Sequence, residues 1–125
     1  MSEIIYKGEA FDIIGICMEV HNNLGGGFLE IVYKDALELE FQNAGINYER
    51  EKEYNVNYKG KTLKHKFYAD FVIDEKIILE VKAISKDFSE KHIAQSINYL
   101  KVSKNKLALL VNFGETRLKY KRIVY

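Results

Sequence analysis

Tyr68-Ala69-Asp70-Phe71-Val72-Ile73-Asp74-Glu75-Lys76-Ile77-Ile78-Leu79-Glu80-Val81-Lys82 is the stretch on which fold and chemistry both turn. Two apolar runs flank the polar triplet Asp74-Glu75-Lys76, which predicts a strand, a tight turn and a return strand. Side chains alternate faces along a strand, so Glu80 and Lys82 share one face and Leu79, Val81 and Ala83 take the other. A hairpin symmetric about Glu75 sets Asp70 opposite Glu80, with Cβ atoms about 4.5–5.5 Å apart. Two carboxylates that close repel each other, and a divalent cation between them reverses the sign of the interaction. Glu80 also follows Ile77-Ile78-Leu79, a run typical of a strand covered on both faces. A carboxylate there is costly unless it is paired or bound to metal. The oxygen-only donor set favours magnesium or manganese over zinc. The competing reading is a half-buried Glu80–Lys82 salt bridge with Asp70 in solvent.

Upstream, Ala10, Ile13, Ile14, Cys17 and Val20 recur at helical spacing and predict a helix from Gly8 to Leu24, broken by Gly25-Gly26-Gly27. A second helix is expected from about Phe28 to Asn43, with Leu29, Val32, Tyr33, Ala36, Leu37 and Phe41 inward and Ala44-Gly45 closing it. Tyr48, Tyr54, Val56 and Tyr58 then alternate with polar residues up to a turn at Lys59-Gly60. The return strand from Lys61 to Ile73 is long enough to predict a bend or bulge. Downstream, Ser89 starts a helix running to about Lys104 with Ile93, Ile97 and Leu100 as its core stripe. Leu107 to Phe113 and Thr116 to Tyr125 read as strands. The order α-α-β-β-β-α-β-β implies an α/β (α+β) domain with a mixed sheet flanked by helices.

Composition sets limits. The chain has 125 residues, 47% hydrophobic and 30% charged, which fits a single globular domain spanning 1–125 rather than a disordered chain. No apolar run approaches the roughly 18 residues of a membrane span, and Met1 to Lys7 lacks the pattern of a signal peptide. A cytoplasmic protein is therefore expected. The single cysteine, Cys17, falls on a helical stripe as a small buried hydrophobe. The net charge of +1 gives no global pull toward nucleic acid. Lys101, Lys104, Lys106, Arg117, Lys119, Lys121 and Arg122, against Glu115 alone, form either a local basic patch or a solvated surface.

Asp70…Glu80-Val81-Lys82, on a hairpin between an N-terminal helix and a later one, resembles the core of the PD-(D/E)xK nuclease superfamily. Gly27-Phe28-Leu29-Glu30-Ile31-Val32-Tyr33 is similar to the signature of the GxxExxY proteins, a group within it, and Gln95-Ser96-Ile97-Asn98-Tyr99 resembles the Gln-x-x-x-Tyr element of exonuclease-like branches. The resemblance implies a restriction-endonuclease-like core and a Mg²⁺-dependent nuclease (Mn²⁺ serving as well), acting on nucleic acid, DNA foremost. Asp70, Glu80 and Lys82 would be catalytic. Asp70, Glu80 and the Val81 carbonyl would hold the metal, completed by Glu30, while Gln95, Tyr99 and Tyr33 would position substrate. Ala69 replaces the proline of the superfamily's name at a position that touches no ligand. Gly27, Glu30 and Tyr33 fall near one helix stripe, with Gly27 at a helix start suited to an anion. Gln95 and Tyr99 share a face with His92. Other readings stand beside these: Tyr33 as a core aromatic, the glycines as a connector, His92 as a surface residue, and the whole fold as a silent binding module. A homodimer is expected on size grounds.

Overall fold

A stripe of apolar residues at helical spacing drives each helix onto the sheet. In the computed structural model, which describes residues 4–125, α1 (Lys7–Leu24) buries Ala10, Ile13, Ile14, Cys17 and Val20, and α2 (Glu30–Asn43) buries Tyr33, Leu37 and Phe41. Met1 to Glu3, part of the stretch read for a leader, lie outside the described residues. Cys17 is fully buried, which pushes its thiol up to about 12 and leaves it inert. No helix among the described residues is long and apolar enough to cross a membrane.

The strands are β1 (Tyr48–Tyr58), β2 (Lys61–Ile73), β3 (Ile77–Lys82), β4 (Leu107–Asn112) and β5 (Lys119–Val124), with α3 (Glu90–Ser103) between β3 and β4. They lie in one sheet in chain order. β3 and β4 run parallel and every other neighbouring pair is antiparallel, so the sheet is mixed. The parallel pair needs a crossover, and α3 supplies it. Phe71, Ile73, Leu79, Val81, Leu109 and Val111 face α1 and α2. Val72, Ile78, Ala108 and Leu110 face α3. The expected element order and mixed sheet are thus what the chain forms.

Two turns match their chemistry. Lys59 and Gly60 both take positive φ (48° and 79°), as a tight two-residue hairpin turn requires. Asp74 and Glu75 do the same between β2 and β3. The irregularity expected in β2 lies between Asn55↔Lys66 and Asn57↔Thr62, where β2 carries the surplus residues.

Some details differ. α2 begins at Glu30 rather than Phe28, and Leu29, its N-cap, is 75% exposed instead of inward. On α3 the fully buried residues are Ser96, Tyr99 and Leu100, while Ile93 and Ile97 only flank the core. Ser96 is small and Tyr99 carries one polar atom, so both fit beneath a helix that hydropathy spacing alone rotates differently.

One buried side chain fixes the exit of β3. Asn112, 1% exposed, accepts from the N–H groups of Ile84 and Gly114 (both 3.0 Å) and donates to the carbonyls of Ile84 (3.0 Å) and Lys86 (3.2 Å). Gly114 is required beside it, because a Cβ there would come within 2.2 Å of the Ile84 carbonyl oxygen. Asn112→Ala would orphan four backbone groups at once. We expect it to cost about 2–4 kcal/mol in urea unfolding; a loss under about 1 kcal/mol would show that water replaces the amide.

Candidate active site at the end of the β2–β3 ladder

The β2–β3 register runs Ile73↔Ile77, Val72↔Ile78, Phe71↔Leu79, so the next step sets Asp70 against Glu80, as the symmetric hairpin predicts. There the ladder stops and side chains take over. The Val81 N–H donates to Asp70 Oδ2 at 2.7 Å, and the Asp70 N–H approaches Glu80 Oε1 at 3.4 Å. The Lys82 carbonyl accepts from Phe113 on the β4 side, so by strand alternation the Val81 N–H and carbonyl both point toward β2 and Asp70. The backbone breaks step here: Ala69 and Val72 share a core face although they are three apart. Glu51, facing Asp70 between the pairs Arg50↔Phe71 and Lys52↔Ala69, adopts φ 54°. Positive φ at a non-glycine residue marks local strain, of the kind that concentrates at functional sites.

Asp70 is 8% and Glu80 3% exposed. Glu80 titrates well above its ordinary 4.5, through burial first and the Asp70 charge second. Glu30, the first residue of α2, is raised too, by burial and then by Asp70, with Lys82 and Lys34 opposing. The Lys82 ammonium donates to Gln95 Oε1 at 3.2 Å, so the first turns of α3 steady it where its charge acts on Glu80 and Glu30.

Lys34 is the residue that pattern reading misses. Only 7% exposed, its ammonium donates to Asp70 Oδ1 at 2.9 Å and also pairs with Glu51. Burial disfavours its charge, but the hydrogen bonds to Glu51 and Asp70 outweigh that and lift its pKa above the usual lysine value. A signal existed: Lys34 is four residues from Glu30 and therefore on the same helix stripe.

Tyr33 and Tyr99 both commit their hydroxyls to the protein's own backbone. Tyr33 is fully buried, stacks on Phe113 at 4.7 Å, donates to the Gly25 carbonyl (2.6 Å) and accepts from the Phe28 N–H (3.2 Å). It pins the glycine loop and leaves no atom for substrate. Gly26 is needed for space, since its Cβ would press on the Glu115 and Gly114 carbonyls at 3.2 and 3.3 Å, and Gly27 for its backbone, since it holds φ 101° though it faces open space. The Tyr99 hydroxyl donates to the Tyr68 carbonyl at 2.8 Å, tying α3 to β2. Burial, then the Glu80 and Asp70 charges, raise its pKa, so it stays protonated as that donor. Gln95 remains exposed at the rim. His92 caps α3: its Nδ1 accepts from the Ser89 N–H at 3.0 Å, and burial followed by Lys82 and Lys86 lowers its pKa, keeping the acceptor free.

Among the described residues no three His, Cys, Asp or Glu side chains form a preformed metal cluster. The donors nevertheless fit a hard divalent cation. Two nearly buried carboxylates adjoin, one of them driven toward its protonated form, with a backbone carbonyl directed to the same edge. Among the described residues, the ammonium groups set against Glu30, Glu51, Asp70 and Glu80 are those of Lys34 and Lys82, leaving negative charge in excess.

A five-stranded mixed sheet between helices, with acids and a lysine at the end of its central hairpin, is the architecture of restriction-endonuclease-like nucleases. Residues 7–123 match the sequence model of the PD-(D/E)XK nuclease superfamily, and the chain belongs to that family. Among solved structures it is similar to a protein designated SSO0001, with 24% identity, TM-score 0.60, and coverage of 95% of this chain and 59% of that one. It is also similar to an alkaline exonuclease (LHK-Exo) from Laribacter hongkongensis, with 10% identity, TM-score 0.54, and coverage of 99% and 72%. Both likenesses are of fold, and the chain spans only about three fifths of the length of SSO0001. Comparison with curated proteins finds no match.

Two outcomes follow from the buried charges. A carboxyl with a raised native pKa binds more protons folded than unfolded, so stability falls as pH climbs from 4.5 through that native value. In EDTA at neutral pH, Glu80→Gln should therefore melt above the parent protein, the advantage shrinking as pH approaches 4.5; a lower melting point at neutral pH would contradict the burial argument. Lys34→Met leaves Asp70 without its ammonium and should cost about 3 kcal/mol, against less than about 1 kcal/mol for the exposed pairing lost in Lys66→Met. Urea unfolding of both variants measures the contrast.

Proposed function

We propose that this chain hydrolyses phosphodiester bonds in DNA, using Mg²⁺ or Mn²⁺ at the Asp70–Glu80 pair. The observation that carries the reading is that buried pair at the end of the β2–β3 ladder, with Lys82 beside it. Asp70, Glu80 and the Val81 carbonyl would hold the ion, and Glu30 would complete the set directly or through water. When bound, such an ion supplies a Lewis acid and a nucleophilic water near neutral pH. Lys82, steadied by Gln95, orients the attacking water and offsets charge on the phosphate. Gln95, exposed at the rim, also meets the phosphate or base. The GxxExxY grouping suits this arrangement: Gly27 supplies the positive-φ turn into α2, Tyr33 pins the glycine loop, and Glu30 is delivered to the acids.

One observation favours a silent binding module instead. Lys34 already supplies Asp70 with a cation, so the site is partly neutralised by the protein itself.

Labelled single- and double-stranded DNA and RNA, incubated with Mg²⁺, Mn²⁺ or EDTA, decide between the two. Cleavage should require metal, prefer DNA, and fall at least about 100-fold in Glu80→Ala and Lys82→Ala. Magnesium should raise the melting temperature of the parent protein but not of Asp70→Ala. Metal-insensitive melting together with binding but no cleavage would leave the module as the function.

A further inference from the structure

We propose that the outer end of the β1–β2 ribbon grips duplex DNA by its phosphates and presents it to the Asp70–Glu80 site, an inference that rests on the nuclease reading above. β3 pairs with β2 only over Phe71–Ile73. From Asp70 outward β2 has β1 as its only strand partner, and the two continue as a ribbon to the Lys59-Gly60 turn. The arm from Lys61 to Ala69 reaches about 30 Å at the usual rise per residue. Tyr99 and Phe67 pack together at its base. Beyond that, residues 57–66 are exposed without a break.

A two-stranded ribbon in water is marginal by itself, so one that stands clear of the core calls for a reason. Its charge supplies one. From Tyr54 to Ala69 there is no acidic residue, and Lys59, Lys61, Lys64 and Lys66 cluster within eight positions. The whole chain is only +1, so the rest of it is net negative, and this arm is one of two stretches where positive charge gathers, the other running from Lys101 to Arg122. Lys66 makes one loose pair with Glu53 at 3.5 Å, while Lys59, Lys61 and Lys64 make no ion pair among the described residues. Tyr58, 59% exposed beneath the Lys59 ammonium, and Leu63, 43% exposed, add apolar contact area. The basic stretch from Lys101 to Arg122 also has cations without an ion pair among the described residues, but it is spread over α3, two connections and β5 rather than one projecting arm. There Lys119 pairs with Asp87 and Glu115, and Arg122 is bound to the Ile5 carbonyl.

Shape narrows the ligand. The major groove of B-form DNA, about 12 Å wide, admits a two-stranded ribbon, whereas the deep, narrow major groove of duplex RNA does not. The rival explanation is protective, since lysines on unpaired strand edges discourage edge-to-edge aggregation. It predicts no effect on DNA.

The test is fluorescence anisotropy in EDTA, with a labelled 20-base-pair DNA duplex and its RNA counterpart, across a salt series. The triple variant Lys59→Gln, Lys61→Gln, Lys64→Gln is compared with the parent. Removing three phosphate contacts should flatten the slope of log affinity against log salt by about 2–3, and weaken binding at least about tenfold at moderate salt. The melting temperature, its response to magnesium, and hydrolysis of bis(p-nitrophenyl) phosphate should stay at parent values, because the substitutions are remote from the acids. Parent-like duplex binding with parent-like salt slope overturns the proposal, as does new aggregation with DNA affinity intact. Equal affinity for duplex RNA overturns the groove assignment. Weakened DNA binding in the variant, with no hydrolysis by the parent in any metal, sinks the nuclease reading and leaves the grip standing.

Discussion

The hydrogen bond from the Val81 N–H to Asp70 Oδ2 governs the geometry of this protein's working end. A regular antiparallel ladder would send that N–H to a backbone carbonyl of β2 and keep the two strands zipped. With a carboxylate in that place, the ladder ends at Phe71↔Leu79, Asp70 turns inward, and the chain before it swings out with β1 as its only strand partner. One substitution of side chain for main chain thus creates both a buried acid and a free ribbon. A buried carboxylate that accepts from a main-chain N–H is also oriented, which a solvent-facing one is not.

The electrostatics follow from that placement. Asp70 has to be compensated, and Lys34 does so from α2 at 2.9 Å while also reaching Glu51. Glu80 has no such direct ammonium, and burial beside Asp70 raises its pKa. An apolar pair at these positions would be cheaper for the fold alone, since buried ion pairs seldom repay their desolvation. The cluster therefore represents stability forgone at one spot, and the strained φ of Glu51 beside it points the same way. Sites that handle charge in the transition state need that kind of preset field.

How much of this was legible in the sequence depends on whether a residue's role is local. Strand alternation and a symmetric turn sufficed to bring Asp70 to Glu80 and to put Glu80 with Lys82, because hairpin register is a short-range property. Ile77-Ile78-Leu79 correctly signalled a strand covered on both faces. Lys34 was missed, although it shares a helix stripe with Glu30, because helical periodicity tells inward from outward and a lysine reads as outward. Nothing local says that the polar side of α2 abuts the end of the β2–β3 ladder. The backbone bonds of Tyr33 and Tyr99 were hidden for a related reason: both rings sit in the core, and only the hydroxyl partners, Gly25 and Tyr68, distinguish them from plain core aromatics. Those partners are eight and 31 residues away, beyond any spacing rule. The ribbon was hidden differently, since a chain-wide charge of +1 averages basic stretches against acidic ones and does not show where either lies.

α3 is what makes these parts one site. Gln95 holds Lys82 of β3, and Tyr99 holds the Tyr68 carbonyl of β2. The two are four residues apart, about one turn and 6 Å along the axis. The helix therefore gauges the gap between the strand carrying Lys82 and the strand carrying Asp70, at the very level where backbone pairing no longer does. Its first turn is locked by Ser89 and His92, and its middle by the burial of Ser96, Tyr99 and Leu100. A loop in that position would let the strands breathe once the ladder ended. A capped helix bonded to both strands does not, so a site built at the frayed end of a hairpin keeps the rigidity of the sheet it grew from.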